Sequence, residues 1–142
     1  MTELKRREAP VSRVEKKEAT RQQLIAATVE VIAADGFADM TLAKVSQRAD
    51  VSRGLVNFHF DSKEKLLVET LRHLTDEYRN SWRKAIAKPK TARDKLLALI
   101  RADFSPQVCN RKKIAVWYAF WGEAKSRPTY REVCAKADGE FA

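Results

Sequence analysis

The stretch TLAKVSQRADVSRGLVNFHFDSKEK, residues 41–65, decides the fold of this chain. Over residues 42–49, small and apolar side chains recur at the i, i+3, i+4, i+7 spacing of one helical face. Thr41 precedes that run and Ser52 precedes residues 53–59, and a hydroxyl at such a position can cap a helix. Two short capped helices on either side of a brief break outline a helix-turn-helix. The pattern predicts that residues 53–59 enter a DNA major groove.

The composition favours an all-α fold. The chain has 142 residues, of which 44% are apolar, so it can bury the core of one domain or of two small ones. With only 4 glycines and 4 prolines, and hardly any alternation of β-branched residues, strands are not expected. We predict an N-terminal three-helix helix-turn-helix head, joined by a long helix to a helical body.

The charge favours a polyanionic partner but does not locate its binding surface. The formal net charge is +9 and the isoelectric point is near 9.8. Residues 1–65 hold 12 Lys and Arg against 10 Asp and Glu, whereas residues 66–142 hold 16 against 9. The basic excess therefore lies outside the predicted head, and the case for DNA rests on the spacing of residues 41–65.

Several function classes are not favoured. The charged start and the lack of any apolar run of ~20 residues predict a soluble, cytoplasmic protein with no membrane partner. Cys109 and Cys134 lack a CxxC spacing and favour a reducing cytosol, although a disulfide between them stays open. No other residues with metal-ligand spacing occur near His59 or His73 in the sequence. The sequence also contains no nucleophile–base pair and no phosphate-binding glycine loop. We therefore predict no enzyme, no metal and no cofactor.

Residues 1–17 are polar and mixed in charge, and Pro10 interrupts a helical pattern there. One interpretation is a solvated tail. The other is a basic arm that reaches into a minor groove with Arg6, Arg7 and Arg13. A first helix is predicted from about Glu18 to Asp35.

Turn and cap residues divide the rest of the chain. Gly36 is expected to close the first helix in a left-handed conformation, with Phe37 packed on Ile32. Ser62 is expected to cap a long helix that reaches about Ala87. Shorter helices are then predicted over about 91–103, after Ser105-Pro106 over about 107–125, and after Arg127-Pro128 to about 137.

The stretch TLAKVSQRADVSRGLVNFHFDSKEKLL resembles the DNA-binding signature of the tetracycline-repressor (TetR) family of bacterial transcriptional regulators. The resemblance covers roughly residues 18–70. The positions in the family's register are Thr41, Val51, Ser52, Gly54, His59, Phe60, Lys63 and Leu66. Two positions depart from it, with Asp50 where glycine is usual and Asn57 where tyrosine is frequent. The resemblance implies a head over residues 18–64 and a ligand-binding and dimerisation body over residues 65–142.

The resemblance also implies a role for each position of the head. Thr41 and Lys44 would touch phosphates, and Ser52 would cap the recognition helix and bind a phosphate. The groove-facing residues would be Arg53, Gly54, Leu55 and Asn57. His59 and Lys63 would clamp phosphates on the far side. Val56 and Phe60 would lie in the core.

The segment IAVWYAFWGEA, residues 114–124, has two interpretations. It is either the packed central helix of the body or part of an aromatic box for a quaternary ammonium ion, which aromatic faces attract. The candidate ligand-binding residues are Trp82, Trp117, Tyr118 and Trp121. VWYAFWGEAKSRP is similar to the choline-responsive, betaine-pathway (BetI-like) branch of the family, which implies an effector such as choline.

Members of the family usually continue with two more long helices, which form the dimer interface. This sequence stops at Ala142, and three interpretations stay open: the chain is a truncated product or fragment, it dimerises by other surfaces, or it dimerises poorly. We expect an incomplete body that exposes the apolar flank of the Trp117 helix, which predicts association or low solubility. The leading hypothesis is a homodimeric repressor that binds a palindromic operator and is released by a small molecule. The alternative is a helical DNA-associated or interaction fragment without a working ligand switch.

Overall fold

The computed structural model describes residues 12–139, and within that range every regular element is a helix. The helices are α1 (Arg13–Asp35), α2 (Leu42–Arg48), α3 (Arg53–His59), α4 (Lys63–Ala87), α5 (Ala92–Asp103), α6 (Arg111–Ala124) and α7 (Pro128–Asp138). The predicted all-α fold is confirmed. No helix in the described range is both long and apolar enough to cross a bilayer.

The predicted caps explain where most of these helices begin. The hydroxyls of Thr41, Ser52, Ser62 and Thr91 each accept a hydrogen bond from a backbone N–H in the first turn of the helix that follows. The long helix ends at Ala87, as predicted, and its 25 residues make a rod about 37 Å long. Local side-chain caps thus fix where α2 to α5 begin.

The first helix begins earlier than the sequence pattern suggested. Ser12 Oγ accepts from the Glu15 N–H at 3.2 Å, while the Glu15 carboxylate accepts from the Ser12 N–H at 2.6 Å. This reciprocal capping box starts α1 at Arg13 rather than at about Glu18. Residues 13–17 of the predicted arm are therefore helical, and residues 1–11, with Arg6 and Arg7, lie outside the described part.

The end of α1 also differs in detail from the prediction. Gly36 has the expected positive φ of 87°, but its ψ of 170° is not that of a left-handed helical cap. The Phe37 ring lies edge-on to the rings of Phe120 and Tyr130, with centroids 5.6 and 6.1 Å away. The turn after α1 therefore holds the head against the body.

One hydrophobic core runs through the head and into the body. In the head, the side chains of Leu24, Val45, Val56 and Leu66 are almost completely buried. The core continues through Phe120 of α6 and the other large buried side chains of α6 and α7. Burying each such side chain contributes roughly 1.5–3 kcal/mol, so the head and body stabilise each other across this contact.

The helix that carries Trp117 begins later and is less enclosed than predicted. Residues 105–109 form turns, and α6 begins at Arg111 because the Asn110 side chain accepts from the Lys113 N–H at 3.0 Å. The helix packs on α1 and α7 and buries only Val116 and Phe120, so it is not surrounded as a central helix would be.

The apolar flank expected on the Trp117 helix is exposed, and α5 exposes apolar side chains as well. Trp121 is 55% exposed, and Phe104 at the end of α5 is 77% exposed. Since α5 packs mainly on α4 and has no buried residue, its apolar face is open to solvent.

Candidate DNA-binding head and effector cavity

Helix α3 divides its side chains cleanly between core and solvent. Val56 is fully buried, and Phe60, which follows the helix, is almost so. On the opposite side, Arg53, Gly54 and Asn57 are exposed. The residues predicted to face a groove therefore lie on the open side of the helix, apart from Leu55, which is half-buried.

The turn before α3 is held by backbone geometry and by α1. Asp50 has φ 54°, so it takes the positive-φ conformation for which glycine is usual. The Val51 N–H donates to the Ser46 carbonyl at 3.0 Å, and the Gln23 side chain donates to the Ala49 carbonyl at 2.7 Å. These bonds fix the angle between α2 and α3.

Gly54 is not required by the fold. Its φ lies outside the positive region, and the nearest atom to an added methyl group would be Ser52 Oγ at 3.9 Å. The absence of a side chain therefore leaves room for something that approaches from outside the molecule.

Phe58 is an exposed aromatic residue that the sequence interpretation left out of the DNA-contacting set. Its side chain is 67% exposed, and Lys17 Nζ of α1 lies 5.4 Å from the centroid of its ring. Gly54 and Phe58 are four residues apart on α3, so the Phe58 side chain lies on the same side as a residue predicted to face the groove. That spacing was the signal that could have found it.

Two cations of α2, the predicted phosphate contact Lys44 and Arg48 one turn further on, are paired with carboxylates in the free protein. Lys44 Nζ lies 2.8 Å from Asp35, and Arg48 lies 3.3 Å from Glu30. Thr41 accepts from the Lys44 N–H at 3.2 Å and is exposed. Exposed ion pairs of this kind are worth about 0–1 kcal/mol, so a DNA phosphate can replace the carboxylate.

His59 is half-buried at the end of α3, between the rings of Phe58 and Phe60. Burial lowers the pKa of its imidazole below the ordinary value, and the positive charges of Lys17 and Arg21 lower that pKa further. The imidazole is therefore uncharged in the free protein at neutral pH. Lys63, the other predicted clamp, is half-buried in the first turn of α4.

A cavity of about 570 Å³ lies within the body. Its walls are Thr75, Tyr78, Asp103, Val108, Cys109, Ile114, Trp117, Trp121, Cys134 and Ala137. The Trp117 and Trp121 rings lie with their centroids 5.9 Å apart at 35°. One wall of the cavity is therefore aromatic, and a cation or an apolar molecule inside the cavity can pack against it.

A carboxylate faces the same space. The Tyr78 hydroxyl donates to Asp103 Oδ1 at 3.0 Å, and burial together with this bond raises the pKa of the tyrosine. A carboxylate that lines the same cavity as two indole rings favours a positively charged ligand. Cys109 and Cys134 also line the cavity and are not joined by a disulfide.

The four candidate ligand-binding residues are not equivalent in the structure. Trp117 and Trp121 line the cavity, whereas Trp82 and Tyr118 are not among its walls. Tyr118 is largely exposed, and its ring lies 5.7 Å from the Trp121 ring. Tyr78, one turn before Trp82 on α4, is a cavity residue that the sequence interpretation missed.

Two protein-family models match the chain. Residues 24–70 match the N-terminal model of bacterial regulatory proteins of the tetR family, and residues 92–142 match a C-terminal model of BetI-type transcriptional repressors. The chain therefore belongs to the TetR family of bacterial regulatory proteins, a class of transcriptional regulators and not of enzymes. Within that class, the region from residue 92 onward is of the BetI type.

Curated relatives agree with this placement. The helix-turn-helix transcriptional regulator BetI of Paraburkholderia phytofirmans is 37% identical over 118 residues, which are 82% of this chain and 60% of that protein. BetI of Paraburkholderia xenovorans has the same identity and coverage. The chain thus spans about 60% of the length of the curated relatives it matches.

Solved structures share the fold. A transcriptional regulator from Pseudomonas aeruginosa PAO1 superposes with a TM-score of 0.79 and 32% identity, over 93% of this chain and 64% of that one. A regulator from Saccharomonospora viridis, solved in complex with choline, superposes with a TM-score of 0.77 and 21% identity, over 87% of this chain and 64% of that one.

Proposed function

We propose that this protein is a sequence-specific DNA-binding regulator of transcription, a repressor that acts in the bacterial cytoplasm as a homodimer on a palindromic operator. The observation that carries the proposal is the exposed face of α3. Arg53, Asn57 and Phe58 are exposed on this helix, while Val56 on its other side is fully buried and holds the helix in place. A helix fixed in this way can enter a major groove as one rigid unit.

The exposed residues divide by chemistry into base contacts and phosphate contacts. Arg53 is suited to guanine O6 and N7, Asn57 to adenine N6 and N7, and Phe58 to a thymine methyl group. The phosphate contacts are assigned to Thr41, Lys44, Ser52, His59 and Lys63, and Leu55 packs beside the groove. Gly54 lets the backbone approach the DNA closely.

A genomic footprint of the purified protein tests this function. We expect protection of a palindromic sequence, with half-sites separated by about one helical turn or a multiple of it. A persistent monomer that binds all DNA alike, with an affinity that depends only on salt, would contradict the proposal and favour a fragment without a ligand switch.

Operator affinity is expected to rise as the pH falls from 8 toward 6. The pKa of His59 lies below its ordinary value in the free protein, whereas a neighbouring phosphate favours the charged imidazole in the complex. Binding therefore takes up a proton, and affinity gains up to about tenfold for each unit by which DNA raises this pKa. Fluorescence anisotropy with a labelled operator measures the effect.

A His59→Gln variant is the control for this pH dependence. It keeps a hydrogen-bond donor of similar size but cannot titrate, so its affinity should change little across the range. Stability should move in the opposite direction to affinity. Because the folded pKa is depressed, the histidine's contribution to stability is present above pH ~6.5 and is lost as the pH falls through the folded pKa.

The effector is proposed to be a small quaternary ammonium ion, such as choline, held against Trp117 and Trp121. The ring geometry, the facing Asp103 carboxylate and the choline complex of the Saccharomonospora viridis regulator support this proposal. Tyr118 would support Trp121 from outside the cavity, and Trp82 would act at a distance along α4. Binding would displace α4 and change the separation of the two heads.

Replacing Trp121 by leucine is expected to weaken choline binding about 2- to 30-fold. This range corresponds to the ~0.5–2 kcal/mol of one cation–π contact. Isothermal titration calorimetry measures the loss, and Tyr118→Leu, outside the cavity, should lose less. The neutral isostere 3,3-dimethylbutan-1-ol is the matched ligand, and equal binding of choline and this alcohol would contradict a cation site.

A further inference from the structure

One carboxylate on α1 joins three helices. Glu30 Oε1 lies 3.2 Å from Lys112 Nζ of α6, and Glu30 Oε2 lies 3.3 Å from Arg48 of α2. Glu30 is half-buried, whereas both cations reach it from exposed positions. The two oxygens of a single side chain are therefore shared between the body and the head.

The two cations that Glu30 binds lie on helices that take part in the proposed function. Arg48 is in the last turn of α2, on the same side of the head as the phosphate candidate Lys44. Lys112 is in the first turn of α6, the helix that brings Trp117 and Trp121 to the cavity. Lys112 and Trp117 are five residues apart, which is about 7.5 Å along a helix.

The shared carboxylate makes Arg48 sensitive to Lys112. The Lys112 hydrogen bond is the largest cause that lowers the pKa of Glu30, and Arg48 lowers it further, so Glu30 is ionised at neutral pH. When Lys112 holds Oε1, only Oε2 faces Arg48. If Lys112 moves away, a bidentate arginine–carboxylate pair becomes available, and such pairs are stronger than single contacts.

We propose that Glu30 is a positioning residue that competes with operator phosphate for Arg48, and that Lys112 weakens this competition as long as α6 keeps its present position. A displacement of α6 would release Glu30 to withdraw Arg48 from the DNA. This inference rests on the proposed DNA-binding function, and it adds a direct electrostatic link between body and head to the movement of α4.

The first test removes the charge of Glu30. The Glu30→Gln variant should bind the operator about 2- to 5-fold more tightly at low ionic strength, because Arg48 becomes fully available. The gain should shrink at high salt. In an Arg48→Ala background the same substitution should change affinity little. An equal gain in that background would overturn the proposal, because the lost charge would then act on DNA directly.

Asp35→Asn is the matched control. It removes one negative charge beside α2, but from a carboxylate whose partner Lys44 belongs to the head. Its effect on operator affinity should therefore be the same with or without the Lys112 side chain.

The second test is a double-mutant cycle between the body and the head. Lys112→Ala should weaken operator binding about 2- to 5-fold in the otherwise unaltered protein and have little effect together with Glu30→Gln. An equal loss in both backgrounds would overturn the proposal, since Lys112 would then attract DNA by its own charge.

A measurement without DNA separates this inference from the proposed function. The ¹³C carboxyl titration of Glu30, followed by NMR, should show a higher pKa when Lys112→Ala is added to the Arg48→Ala variant, in which no arginine can replace the lost lysine. An unchanged titration would overturn the shared bridge even if the operator is bound specifically. A changed titration with no specific DNA binding would contradict the proposed function and leave the bridge standing.

Discussion

Replacing Tyr130 by alanine is expected to lower the free energy of unfolding by about 3–5 kcal/mol, as for other large aromatic side chains removed from a core. Tyr130 is fully buried, and its ring lies edge-on to Phe120 at 5.5 Å and to Phe37 at 6.1 Å. These rings come from α7, α6 and the turn after α1. Removal of the Tyr130 ring would therefore leave an empty space where the head and the body meet. Urea unfolding followed by circular dichroism measures the change.

Tyr130→Phe is the matched control because it keeps the ring and removes the hydroxyl. That hydroxyl donates to Glu64 at 3.3 Å, and burial holds the pKa of the phenol above its ordinary value, so it remains a donor. The loss should be only about 0.5–1.5 kcal/mol. If the two variants lost similar amounts of unfolding free energy, the hydrogen bond, and not the ring packing, would stabilise the contact between head and body.

Replacing Arg53 by alanine is expected to cost about 1–3 kcal/mol of operator binding, roughly 5- to 150-fold in affinity, and to relax discrimination at one base pair. The side chain is exposed in the first turn of α3, where it can reach a base edge without rearrangement of the core. Competition binding with a panel of operators, each altered at one position, measures the loss and its location.

Lys63→Ala is the comparison for this experiment. As a phosphate contact it should weaken binding about equally for every operator in the panel, and the slope of log affinity against log salt should fall by about 1. If both variants lost affinity uniformly, the division into base and phosphate contacts would be wrong.

The parts of the fold that depend on neighbouring residues were predictable from the sequence. The hydroxyls that begin α2, α3 and α4 act within their own first turns, and the positive φ of Asp50 follows from the break between two helices. The core positions Val56 and Phe60 follow from helical phase. The Ser12–Glu15 capping box is also a local signal, but Pro10 just before it argues against a helix there.

The parts that depend on tertiary packing were not predictable. Since α6 is apolar on more than one face, its sequence could not show that Trp117 and Trp121 line a cavity while Tyr118 faces solvent. The pairing of Glu30 with Lys112 joins residues 82 positions apart and leaves no local pattern. The position of Asp103 in the cavity wall, where it accepts from the Tyr78 hydroxyl, likewise depends on tertiary packing.

Gly54 places two selective pressures in opposition. A glycine in a helix is less stable than alanine by about 0.5–1 kcal/mol, and here a methyl group would meet nothing closer than 3.9 Å. Selection for heat resistance alone would therefore replace it, whereas the proposed close approach to DNA would keep it. Under that proposal, the head gives up some stability at this one position so that its backbone can lie against DNA.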